Sequence, residues 1–194
     1  NRLNRIRVRW KLEINNLSLS NSVRKDDIAI IFIENIIPVV QQVTASDGLG
    51  HSYSTSYTYE GGLFDGWRRE FLGFAKAQVR DVEGTISTTE FIQLPETKGR
   101  PQLMTVHDAQ GRLYTKTEQT WYWTNPYPEA PEVKFAYLDQ VDSFIYDGDD
   151  TVKHTRARSE YDAFGNLTKL REWGEVDVLG DERQTFTSYT YNEP

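Results

Sequence analysis

The chain has 194 residues, 22 Lys and Arg against 29 Asp and Glu, a net charge of -7, and no cysteine. That length allows one or two domains with a proper core, and the acidic balance lacks the basic footprint of a nucleic-acid binder. Without cysteine, disulfides, thiolate chemistry and cysteine-zinc sites are excluded.

Aromatic residues make up 13% of the chain, with eleven Tyr, nine Phe and five Trp, which suits a pleated, half-buried surface. There is no initiator Met, and "NRLNRIRVRW" lacks the apolar core of a signal peptide, so the chain reads as an internal segment of something longer. "RIRVRWKLEI" alternates Arg5, Arg7, Arg9 and Lys11 with Ile6, Val8, Trp10, Leu12 and Ile14. This is strand periodicity, and its basic stripe reads as a solvated face. The apolar run "IAIIFIENIIPVV", residues 28–40, is broken by Glu34, Asn35 and Pro38 and is too short to span a bilayer.

"HSYSTSYTYE" sets Tyr53, Thr55, Tyr57 and Tyr59 against Ser52, Ser54, Ser56 and Thr58, again a strand. "EGGLFDGWRREFLGF", residues 60–74, has four glycines and four aromatics and reads as an irregular packed loop followed by a strand. Arg69 and Glu70 there are expected to form a half-buried charged pair that fixes the loop to the sheet. "TEQTWYW" alternates so that Trp121 and Trp123 share one face with Tyr122 opposite, and "TNPYPEAPE", residues 124–132, is a proline-rich excursion between strands. "QTFTSYTY" repeats the strand style near the end. No window carries a helical period, and the expected fold class is all-β, built from antiparallel hairpins and meanders.

The turns share one device. An aspartate precedes a glycine by three at Asp47–Gly50, Asp81–Gly84, Asp108–Gly111, Asp162–Gly165 and Asp177–Gly180, each between predicted strands. Asp at the first position of a type I turn caps the backbone with its carboxylate. Gly at the fourth takes the left-handed conformation that returns the chain to the ladder through a bulge.

No catalytic centre is legible. His51, His107 and His154 lie far apart and read as surface or sheet residues, without a nucleophile and orienting acid placed beside them. "YDGDDT", residues 146–151, concentrates three carboxylates but lacks the spacing and closing Glu of a calcium loop, so it reads as a solvated hairpin tip. Nothing selects a carboxylate pair for glycoside hydrolysis. Trp121 and Trp123 could form a sugar platform, although packing is the simpler use of such rings. No catalysis, cofactor or metal is expected.

"TVHDAQGRLYTKTEQTWYW" and "SEYDAFGNLTKLREW" resemble YD repeats of the Rhs type through Tyr161, Asp162, Gly165, Asn166, Leu167 and Thr168, and through Asp108, Gly111, Arg112, Leu113 and Tyr114 with His107 in place of the Tyr. "YTYEGGLFDGWRREFLGFAKAQVRD" is similar to the middle region of insecticidal toxin-complex B components and their SpvB-like relatives. The matching positions are Tyr57, Tyr59, Gly62, Phe64, Asp65, Gly66, Arg69, Glu70, Phe71, Gly73 and Phe74. The resemblance covers residues 38–81 and 103–191 and is weak over 1–37. It divides the chain into a toxin-complex middle-type segment, 1–95, and degenerate YD-repeat hairpins, 96–194.

The resemblance implies a structural role in a secreted toxin complex. In that family these segments wind into a hollow β-shell around the toxic part of a partner or of the same chain. Partners implied are the remaining Rhs repeats, the enclosed toxin polypeptide and, through regions outside this chain, the injector; no nucleic acid and no membrane span are implied. A different class, a surface-exposed β-sandwich adhesin or carbohydrate-binding module using Trp121 and Trp123, is the alternative.

Overall fold

The computed structural model describes residues 5–14, 36–146 and 151–190. Thirteen strands occur in it: β1 Arg5–Ile14, β2 Ile36–Ser46, β3 Ser52–Glu60, β4 Leu63–Asp65, β5 Glu70–Gly73, β6 Lys76–Arg80, β7 Ile86–Phe91, β8 Pro101–His107, β9 Leu113–Thr124, β10 Phe135–Tyr146, β11 Val152–Tyr161, β12 Leu167–Trp173 and β13 Arg183–Phe186. No helix appears among the described residues. Eleven strands form one antiparallel sheet in chain order, while β4 and β5 form a separate hairpin inserted between β3 and β6. Segment 60–74, expected as an irregular loop and a strand, is therefore a two-stranded ribbon. Its glycines stand at the ribbon's ends and turn, where they masked the short alternation of "LFD" and "EFLG".

The sheet is a meander in a single layer. Two packed sheets would bury an inner face between them, but here the only apolar residues below a tenth exposure among those described are Val39 (7%) and Leu72 (5%). The sandwich expected under the alternative reading is thus not the observed architecture: the described strands make one large sheet and one small ribbon.

Cohesion comes from rows of side chains that cross the strands. Thr58, Gln78, Thr88, Thr105, Lys116, Phe144 and His154 are successive cross-strand partners from β3 to β11. On the same face runs Glu60, Lys76, Glu90, Leu103, Glu118, Asp142, Arg156 and Trp173. Opposite residues in an antiparallel pair stand close enough to bond, and these do. Gln78 Nε2 donates to Thr88 Oγ1 at 3.1 Å, Thr44 and Ser54 hydroxyls meet at 2.8 Å, and Lys76 lies 3.6 Å from Glu60. The opposite face carries Tyr59, Ala77, Thr89, Met104, Thr117, Ser143 and Thr155 in one row, and Tyr57, Val79, Ser87 and Val106 in the next. Across these rows one face is mainly polar and knitted together and the other mainly apolar or hydroxylated, until the Glu172–Arg183 pair, 2.7 Å apart, places charge on the second face near the β13 edge.

Register shifts at Arg9/Trp10, Glu90/Phe91, Val106/His107, Leu138/Gln140 and Glu160/Tyr161 add local twist to a sheet already near the size at which open sheets must curl. Among the described residues β1 and β13 each have one neighbour, and β13 carries Phe186, 71% exposed. Unpaired edges with apolar side chains template further strand pairing. The 194-residue chain alone should therefore self-associate with rising concentration in sedimentation velocity; a monodisperse monomer throughout would contradict this.

Candidate functional site

The Asp-x-x-Gly turns have a common chemistry at three places. Gly84, Gly111 and Gly165 have φ of 90°, 83° and 85°, and their N–H groups donate to the carbonyls of Asp81, Asp108 and Asp162 at 3.2, 3.0 and 3.1 Å. One carboxylate oxygen accepts two more N–H groups: Glu83 and Thr85 on Asp81, Gln110 and Arg112 on Asp108, Phe164 and Asn166 on Asp162, all between 2.8 and 3.0 Å. The side chain after the glycine takes the second oxygen, Arg112 Nε on Asp108 at 2.6 Å and Asn166 Nδ2 on Asp162 at 3.1 Å.

The other two turns differ. Asp47 keeps the double N–H cap, from Leu49 (2.7 Å) and His51 (3.2 Å), and its second oxygen bonds the His51 ring at 2.6 Å. Gly48 joins Gly50 at positive φ there. At Asp177–Gly180 the glycine is left-handed, φ 97°, but the loop is held by other groups: Val178 N–H donates to the Glu175 carbonyl, and Gly180 N–H to the Glu182 carboxylate. A neighbouring carboxylate, Asp181, takes the Glu175 N–H at 2.8 Å, so this loop is arranged around acids other than Asp177.

The β4–β5 ribbon is tied to the sheet at its base. Gln93 Nε2 donates to the carbonyls of Gly61 and Gly73 at 2.7 and 2.8 Å, and Ala75 N–H donates to the Gly61 carbonyl at 3.1 Å. Phe74 contacts Tyr59 and Phe71, with ring centroids 5.0 and 5.3 Å apart, beside buried Leu72. Arg69 and Glu70 do not form the expected pair. The turn throws Arg69 outward, exposed and with φ 54°, while Glu70 bonds Lys98 on the β7–β8 loop. Asp65 caps the ribbon's turn, accepting the N–H groups of Trp67 and Arg68, and Gly66 begins that turn.

Sequence reasoning missed the most buried polar cluster. Asp142, 8% exposed in β10, accepts from His154 Nε2 at 2.6 Å, Arg156 Nε at 2.7 Å and Gln140 Nε2 at 2.6 Å. His154 stacks on Phe144 at 4.3 Å, and Lys116 Nζ lies 4.1 Å from the centroid of the same ring. Burial pushes the Asp142 carboxyl up. The bonds from Gln140, His154 and Arg156, together with the Arg156 charge, outweigh it and hold the pKa below the ordinary carboxylate value. An aspartate and a histidine in contact suggest catalysis only if a nucleophile reaches the ring. The nearest hydroxyls in register, Ser143 and Thr155, belong to the opposite face. The cluster is a hydrogen-bonded knot that ties β10 to β11.

The remaining candidates are engaged in packing. Trp121 Nε1 donates to the Pro101 carbonyl at 2.8 Å beneath Arg100, and Lys134 covers Trp123, so the two rings are not a bare platform. Phe135, Tyr137 and Tyr161 line a cleft of about 260 Å³ with Asp139, Glu160 and Asp162. Two of its carboxylates are paired there, Asp139 with Arg158 and Glu160 with Lys169 and Arg171. Among the described residues no group of three His, Asp or Glu side chains is placed to hold a metal ion. Asp147, Asp149 and Asp150 of the acidic tip, and the side chains of the Arg5–Lys11 stripe, lie outside the described residues.

The described residues form an acid-capped, single-layer antiparallel meander, and the comparisons with known proteins bear on that fold. Residues 14–101 match the family model for the insecticide toxin TcdB middle/N-terminal region. No match is found among curated proteins. Among solved structures, the crystal structure of TcdB2–TccC3 superposes with a TM-score of 0.65 at 14% identity, over 87% of this chain and 11% of that one. The Photorhabdus luminescens Tc holotoxin pore gives 0.61 at 14% identity over 71% and 10%. TcdB2–TccC3–Cdc42 gives 0.61 at 14% identity over 70% and 10%. This chain thus spans only about a tenth of the length of the solved chains it resembles, and at such identity the likeness shows the fold alone. Residues 14–101 are thus similar to that toxin middle/N-terminal region, and the solved structures share the all-β fold.

Two predictions follow from the geometry. A Cβ on Gly165 would stand 2.8 Å from the Phe135 ring, whereas one on Gly111 would meet nothing within 4 Å. Gly111→Ala should cost about 1–2 kcal/mol through its positive φ, and Gly165→Ala more, as read from denaturant midpoints; equal losses would show that Phe135 yields freely. The second concerns pH. Asp47, Asp108 and Asp142 all have lowered pKa values, so their contribution is complete above the unfolded value of 3.8 and disappears as pH falls through the folded values. Asp142→Asn should cost about 1–3 kcal/mol near neutrality, and melting temperatures of variant and wild type should converge as the pH drops below that value. A constant gap down to strong acid would exclude the charge as the source.

Proposed function

We propose that this chain is a non-catalytic wall segment of a toxin-encapsulating, Rhs-type β-shell in a secreted bacterial toxin complex. Residues 1–95 serve as the toxin-complex B, SpvB-like middle segment, and 96–194 as degenerate YD-repeat hairpins. Its partners are further Rhs repeats, the enclosed toxin polypeptide and, through regions outside this chain, the injector. It uses no cofactor, binds no nucleic acid and spans no membrane.

The observation that carries the reading is the single layer. An eleven-stranded sheet whose strands β3 to β10 set a mainly polar, cross-bonded face against a mainly apolar or hydroxylated one suits a partition between two environments. It suits poorly a free domain that must close a core on itself. The turn chemistry supports the repeat reading, because Asp108 with Arg112 and Asp162 with Asn166 give a physical role to the residue that follows glycine in the YD pattern. A tyrosine anchor also recurs. Tyr161 Oη donates to the Leu138 carbonyl at 3.2 Å and Tyr189 Oη to the Leu167 carbonyl at 3.1 Å, each reaching back over the preceding hairpin.

A graft tests the proposal. The stretch of TcdB2 that superposes on this chain is replaced by it, and the product is assayed for assembly with TccC3 and for protease resistance of a carried polypeptide. Assembly with retained resistance is the expected result. A folded graft that assembles but leaves the polypeptide as digestible as when free would overturn the shell-wall role.

A further inference from the structure

The tip of the β4–β5 ribbon carries Trp67, 96% exposed, the most exposed large hydrophobic side chain among the described residues. Arg68 and Arg69 follow it, both exposed, and the Asp65–Glu70 pair closes the four-residue loop. Arg69 is the single non-glycine residue with positive φ among those described. A left-handed loop position accepts glycine without steric cost and asparagine at a smaller cost than other residues, so arginine there weakens the loop it occupies. The base beneath is anchored through Gln93, the Glu70–Lys98 bond and buried Leu72.

Backbone strain persists where the surroundings enforce it, and it collects at recognition sites. Trp and Arg are the side chains that most often dominate binding energy at interfaces. An anchored base also means that little ordering remains to be done on contact. All three conditions meet at this one tip, which lies outside the eleven-stranded sheet and contributes nothing to its strand pairing.

We propose that the Trp67–Arg68–Arg69 tip docks into an apolar slot rimmed by carboxylates on a separate polypeptide. The Trp67 ring fills the slot. Arg69, with which no described carboxylate pairs, takes a rim carboxylate through its planar fork of donors. Arg68 is held by a long, half-exposed ion pair with Asp65 at 3.9 Å and would exchange it for a second rim carboxylate. A lipid surface is a poorer fit. The net charge of -7 repels anionic headgroups, and one ring with two cations is a small anchor beside an amphipathic helix.

The test pans the full 194-residue chain against a random peptide library, with phosphatidylcholine vesicles containing phosphatidylserine as a parallel arm. Variants are Trp67→Ser, Arg69→Asn and, as a distant exposed control, Leu179→Ser. Enriched peptides should combine acidic with apolar residues and bind wild type and Leu179→Ser about tenfold tighter than Trp67→Ser or Arg69→Asn, the scale of a hot-spot loss. Arg69→Asn should at the same time raise the melting temperature, which separates lost binding from lost folding. Enriched peptides without acidic residues, equal binding by all variants, or Trp67-dependent binding to vesicles alone would each overturn the proposal. A lowered melting temperature for Arg69→Asn would remove its strain argument.

Discussion

A sheet one layer thick has no interior. Hydrophobic burial, the main driving force for folding in most domains, is therefore confined among the described residues to small places, at Val39 in β2 and at Leu72 in the ribbon. What remains must come from the ladder itself, from contacts between opposed side chains and from the turns that set register. The rows across the polar face, from Thr58 to His154 and from Glu60 to Trp173, are the visible response to that constraint. Each contact is modest, and their sum depends on every strand holding its place. A shift by one residue would exchange the two faces and break the rows.

The aspartate turns take on unusual weight under such conditions. In a sandwich, the facing sheet helps to fix register. Here the carboxylates of Asp81, Asp108 and Asp162 do so locally, each gathering two N–H groups while the following glycine accepts the left-handed bend. Asp142 plays a related part within the ladder, drawing Gln140, His154 and Arg156 onto one point in the middle of the β10–β11 pair. The same feature, an acid satisfied by several donors, thus appears at the strand ends and between the strands.

Much of this was legible in the residue order, and the limits have physical causes. Alternation of period two survives even when neither face is fully buried, so the Ser and Tyr of "HSYSTSYTYE" and the Trp121–Trp123 pair announced strands and their shared face. The ribbon at 63–73 was obscured because its strands are only three and four residues long between glycines. Its Arg69 is unreadable as a turn residue, since nothing in an arginine side chain signals a left-handed backbone. The Asp142 cluster was missed for a different reason. Its members lie on two strands, and only the register Asp142 with Arg156 and Phe144 with His154 brings them together. The signal was present in the matched alternation of Gln140, Asp142, His154 and Arg156, but it needed the register of β10 on β11, which no local motif announces.

Chain-order pairing has a bearing on how such a molecule comes into being. From β2 onward every described strand of the large sheet lies beside the strand made just before it, or just after the small ribbon, so its pairing waits for no distant stretch of polypeptide. Closing short loops is entropically mild and quick. Growth can thus proceed like a zip fastener behind the ribosome, each new hairpin adding to a template already in place, and an extended surface can be laid down without any point at which the whole must collapse at once.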